Sequence, residues 1–110
     1  MTDALPAATH LVQLLLPLND NDGKPFAKAR FDAVRAELVE RFGGVTAYVR
    51  SPAVGAWEND DGAVCRDDVI LFEVMVDGLD RAWWRAFREK IERAFEQDAI
   101  LVRATHVESL

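Results

Sequence analysis

Glu73 is the residue of this 110-residue chain whose chemistry fits its setting least. It stands inside the stretch 69–76, VILFEVMV, the densest apolar run in the sequence. That run reads as a strand, so its side chains alternate between two faces. A carboxylate among such neighbours must be paired, or must hold its proton more tightly than a free glutamate does. Glu73 is therefore the candidate general acid or base. A paired structural carboxylate is the plainer alternative, since ion-pair networks also bury carboxylates. Alternation puts Gln13, Tyr48, Arg50 and Arg103 on the same sheet face as Glu73. These four, with Glu73, are the candidate ligand-binding residues, and Tyr48 is the second candidate catalytic group.

The other chemistry-bearing residues point less far. His10 and His106 are the two histidines. Antiparallel pairing of the first and last strands sets them side by side at the sheet margin. Two histidines still lack the further ligands that a metal needs, so no metal site is expected. Asp20-Asn21-Asp22-Gly23 and Asn59-Asp60-Asp61-Gly62 resemble the acidic half of a calcium loop. Leu18 and Trp57 fall where the first oxygen ligand belongs, so both stretches read as turns. Cys65 is the one cysteine, which excludes an internal disulfide and a cysteine zinc cluster. Arg66 adjoins it but no histidine is near, which argues against a nucleophile. No phosphate-binding glycine loop, nucleophile elbow or paired-cysteine motif is present, and no cofactor is expected.

The elements that position these residues follow from periodicity. Residues 1–9 read as a flexible tail, and 10–110 as a single domain. Residues 10–16 form a strand that Pro17 ends, and 19–25 a loop of turn formers. A helix is predicted from about 26 to 42, with Pro25 at its first turn and Ala27, Phe31, Val34, Leu38 and Phe42 as its apolar stripe. Gly43-Gly44 stops it. Two long strands follow at 44–76, broken near Pro52 and joined at the Asp61-Gly62 turn, with 52–68 as a projecting arm. A second helix runs from an Asp80 cap to about 97, with Glu89 and Arg93 as an i,i+4 pair. Trp83 and Trp84 are adjacent on it, so one belongs at the rim. The last strand is 100–107. The order gives an α+β, ferredoxin-like βαββαβ fold: a four-stranded antiparallel sheet, two helices on one face and an extended hairpin between the second and third strands.

That layout leaves one sheet face without helices. It would carry Leu11, Leu15, Leu71, Met75 and Leu101 beside the polar candidates. An exposed apolar face of that kind is covered by something, and a second copy of the chain is the commonest cover. A pocket between sheet and partner would take a small-molecule ligand at Gln13, Tyr48, Arg50, Glu73 and Arg103. The net charge of −6 and pI near 4.8 argue against nucleic acid and anionic membrane as partners. The arginines alternate with carboxylates and make no basic block. No signal segment or membrane span is seen, so a cytoplasmic protein is expected.

From Arg41 to Val76 the chain resembles a family of small uncharacterised bacterial proteins. The shared pattern is Arg41-Phe42, a glycine, Val45-Thr46, then Gly55, Trp57, Gly62, Val64 and Arg66 before an apolar strand. That resemblance implies no activity. In architecture the chain is similar to the dimeric α/β-barrel superfamily, in which two ferredoxin-like sheets close on each other. Some of its members are cofactor-free monooxygenases or dismutases working on that sheet face, an analogy of fold. The function expected is thus a small soluble homodimer that covers its open sheet face and binds a small ligand there. The alternative is a small cofactor-free enzyme, monooxygenase-like or isomerase-like, with Glu73 as acid/base assisted by Tyr48 and Arg50 or Arg103.

Overall fold

A computed structural model describes residues 8–50 and 69–110, without the side chains of 48–50. The elements are β1 (His10–Pro17), α1 (Lys28–Phe42), β2 (Thr46–Arg50), β3 (Val69–Val76), α2 (Arg81–Ala94) and β4 (Leu101–His106). The strands form one sheet in the order β2-β3-β1-β4, and every neighbouring pair is antiparallel. This is the ferredoxin-like βαββαβ arrangement expected from the sequence. The expected break at Pro52, the arm at 52–68, the Asp61-Gly62 turn and Cys65 lie outside the described residues. Among the described residues no helix is long and apolar enough to cross a membrane.

Alternation along the central strands builds the core. Val12, Leu14 and Leu16 of β1 and Phe72, Val74 and Val76 of β3 are buried on the face that the helices cover. The α1 stripe contributes Phe31, Val34 and Leu38, and α2 contributes Trp84, Phe87 and Ile91, followed by Phe95. The stripe is narrower than periodicity alone implies: Ala27 is exposed and Phe42 half-buried. The core also thins toward the β4 edge. Ile100 is buried, Val102 half-buried and Ala104 exposed, although all three share one parity. The two tryptophans divide as adjacency on a helix demands. Trp84 is buried and stacks on Phe42, with ring centroids 5.2 Å apart. Trp83 stays at the rim, stacked on Phe87 with the Arg41 guanidinium over its ring.

The helix ends have local causes. Helix α1 starts at Lys28, two residues later than the sequence suggests. Pro25 is held in a bridge with Asn19, and the Phe26 N–H donates to the Leu18 carbonyl, so both belong to the loop. Within that loop Asp20 Oδ1 accepts from the N–H groups of Asp22 and Lys24, which closes a turn as expected. Gly43 ends α1 in the left-handed region (φ 84°) and donates to the Val39 carbonyl. Asp80 caps α2, its Oδ1 accepting from the Trp83 N–H. On α2 the i,i+4 pair that forms is Arg88–Glu92 rather than Glu89–Arg93. Glu92 also accepts from the Ile100 N–H, which draws its carboxylate to that side of the helix.

The sheet margin brings the two histidines together. Register pairs His10 with His106, and their ring centroids are 4.2 Å apart. Thr9, assigned by sequence to the tail, is fastened here: it donates to the Val76 carbonyl and accepts from the Val107 and Gly78 N–H groups. Partial burial, then the charges of His106 and Arg81, hold the His10 pKa below its usual 6.5.

Two stability outcomes follow from this packing. Phe72 is 1% exposed, and Phe72→Ala should cost about 3–5 kcal/mol in a urea titration. Because the fold disfavours protonated His10, its contribution is intact above pH 6.5 and is lost as pH falls through the lowered folded value. The urea midpoint should therefore drop over that window, and drop less in His106→Gln. An equal drop in both proteins would remove the histidine pair as its cause.

Candidate functional site

Register sets four side chains in one row on the face opposite the helices. Glu73 of β3 pairs with Gln13 of β1 on one side and Thr46 of β2 on the other, and Gln13 pairs in turn with Arg103 of β4. The row therefore crosses the whole sheet. At one interstrand spacing per step, the backbones at Glu73 and Arg103 stand about 10 Å apart, with the β1 strand between them.

Gln13 joins them. Its Nε2 donates to Glu73 Oε2 at 2.6 Å, and its Oε1 accepts from Arg103 Nε at 2.8 Å. The donor inventory leaves one choice of amide orientation. A carboxylate accepts and a guanidinium donates, so the amide nitrogen must face Glu73 and the oxygen Arg103. The charged neighbours thus orient the neutral spacer. This is the paired alternative expected for Glu73, with a glutamine as the immediate partner and the arginine one strand beyond.

Apolar rows flank the polar one. Register aligns Met75, Leu11 and Thr105 on one side, and Leu71, Leu15 and Leu101 on the other. Their exposure is uneven. Leu71 is buried and Leu11 and Leu15 are half-buried, whereas Met75 and Leu101 stand 50% and 51% exposed. Register pairs Tyr48 with Leu71 and Arg50 with Val69, one and two rows from Glu73. The side-chain roles expected of Tyr48 and Arg50 lie outside the described residues. Among the described residues no three His, Cys, Asp or Glu side chains gather as metal ligands.

Chemically the row offers a carboxylate acceptor, a hydroxyl and a guanidinium between apolar strips. A ligand of mixed polarity can lie along such a surface. Neither Glu73 nor Gln13 lines any of four clefts of the molecule, one of which borders the row at Leu15 and Leu101.

Sequence reasoning missed one group. Arg81, Arg85 and Arg88 line a cleft of about 240 Å³ between α2 and β4, with Arg103 at its strand side. Along the chain these arginines alternate with other residues and look dispersed. Their i, i+4, i+7 spacing, once α2 is drawn as a helix, was the available signal.

A double-mutant cycle tests the Gln13–Glu73 bond. Gln13→Ala with Glu73→Ala should show a coupling of about 1 kcal/mol in urea unfolding. Strictly additive effects would mean that the bond contributes nothing in solution.

No family model matches the chain, and no curated protein matches it. Among solved structures it is similar to a phage SAM lyase in complex with S-methyl-5'-thioadenosine, with a TM-score of 0.64 and 13% identity over 96% of this chain and 87% of that one. It is similar also to a phage SAM lyase in the apo state, with a TM-score of 0.61 and 11% identity over 96% and 86% of the two chains. At such identities the likeness is one of fold, a small α+β domain matched over nearly its whole length.

Proposed function

We propose that the protein is a homodimer whose open sheet faces come together over the Glu73–Gln13–Arg103 row, and that the row binds a small ligand. The observation that carries this reading is the hydrogen-bonded polar row between exposed apolar residues on the face without helices. A second copy would bury Met75 and Leu101, which a lone chain leaves in water. It would also roof the polar row and remove it from solvent, which strengthens every charge-assisted contact within it.

The ligand class is suggested by the solved structures of similar fold, one of which holds S-methyl-5'-thioadenosine. The row suits such chemistry. Glu73 can accept from hydroxyl or amino groups and can face a sulfonium cation, and the flanking leucines can take an apolar or aromatic portion. In this reading Gln13, Glu73 and Arg103 bind the ligand, with Tyr48 and Arg50 beside them on the same sheet.

The second reading makes the protein a cofactor-free enzyme with Glu73 as acid/base. What favours it is that Gln13 engages one carboxylate oxygen, Oε2, and so fixes the plane in which the group could exchange a proton.

Light scattering after size-exclusion chromatography should give twice the 12.3 kDa chain mass. Titration of the protein with S-methyl-5'-thioadenosine and with S-adenosylmethionine, followed by amide NMR, should move Gln13, Glu73 and Arg103 together, and Glu73→Gln should weaken that binding. Turnover of S-adenosylmethionine that is lost in Glu73→Gln would select the enzyme. A monomer whose row stays still in both titrations would overturn both readings.

A further inference from the structure

The arginine-lined cleft between α2 and β4 has no part in the sheet-face reading, and its charge is unexplained by folding. Arg81, Arg85 and Arg88 project from one flank of α2 over an axial length of about 10 Å. Like charges four residues apart destabilise a helix. Arg81, in the first turn, also opposes the helix dipole, and the Asp80 cap beside it is engaged by the Trp83 N–H and by Arg41. Of the three, Arg88 alone meets a carboxylate among the described residues, Glu92 at 3.7 Å. That distance is too long for a hydrogen bond, and the Arg88 Nε–H is buried without an acceptor. Nineteen acidic residues are available in this chain, and none neutralises Arg81 or Arg85 among the described ion pairs.

The surroundings make a receptacle of this stripe. Val12, Leu79, Trp84 and Val102 form an apolar floor beneath it. Opposite the helix runs β4, the edge strand, whose outer N–H groups face no neighbour among the described strands. Val102, Arg103 and Ala104 of β4 close the cleft on that side, while the Arg103 guanidinium is turned to the opposite sheet face, where its Nε is held by Gln13. Guanidinium forks converging beside a low-dielectric floor recognise phosphate and carboxylate oxygens in pairs.

We infer that the α2–β4 cleft is a second binding site, for a small molecule bearing a compact, multiply charged oxyanion, a phosphate or polycarboxylate group. Arg81 and Arg85 supply the principal contacts, and Arg88 flanks them. The site is independent of the sheet-face ligand and needs no partner chain.

Isothermal titration of the full chain with inorganic pyrophosphate, and separately with citrate, at an ionic strength of about 0.15 M tests this. Saturable binding of either is expected, and the stronger arm identifies the oxyanion class. Arg85→Gln or Arg81→Gln, both at exposed positions, should each weaken it about tenfold or more. Arg93→Gln, on the same helix but outside the cleft, should leave it within about twofold. Amide shifts should concentrate at Val102, Ala104 and Trp84. No saturable binding of either probe, or equal weakening by Arg93→Gln, would overturn the site in favour of diffuse screening.

Discussion

The pairing of β1 with β3 is the constraint on which the rest of the structure depends. It aligns eight residues of each strand, from His10↔Val76 to Pro17↔Val69. Because side chains alternate with a period of two, a slip of one residue would set Leu14 opposite Glu73 or Leu71, so that either Leu14 leaves the core or the Glu73 face of β3 turns beneath the helices. The same pairing therefore decides both where the core is and which residues are left for recognition, and the Glu73–Gln13 bond is formed only in that register.

Much of this was legible in the sequence because it rests on short-range chemistry. Parity separated Val12, Leu14 and Leu16 from Gln13. Helical spacing found Phe31, Val34 and Leu38. The short carboxylate side chain of Asp80 and the absence of a side chain at Gly43 marked helix ends by mechanisms that act within one turn. The parts that escaped depend on groups distant in the chain. Pro25 looked like a helix start until its bridge to Asn19 claimed it for the loop. Ala104 had the parity of a core residue but sits on the edge strand, where an open cleft separates it from α2 and leaves it exposed. The preference of Glu92 for Arg88 over the alternative pairing came from the Ile100 N–H, which no local rule brings near.

Among the candidate site residues, the face was readable and the contacts were not. Parity grouped Glu73, Gln13 and Arg103, yet the sequence does not specify that the glutamine stands between the two charges. That needs the strand order β2-β3-β1-β4, which only the assembled sheet supplies. The arginines of α2 illustrate the converse. An acidic chain suggests an acidic surface everywhere, but net charge is a sum, and the helix collects cations on one flank while the carboxylates lie elsewhere.

The oriented amide of Gln13 gives the polar row a direction, cationic at the β4 end and anionic at the β3 end. Two sheets packed face to face can be related by a twofold axis along the strands or across them. An axis along the strands reverses the row, so that the cationic end of each copy lies over the anionic end of the other. An axis across the strands lays like over like. The row is thus an arrow on the sheet, and two such arrows attract only when antiparallel. In the proposed face-to-face dimer the half-buried Gln13 would in this way act on the geometry of assembly, selecting one symmetric packing of the same two surfaces over its rotated alternative.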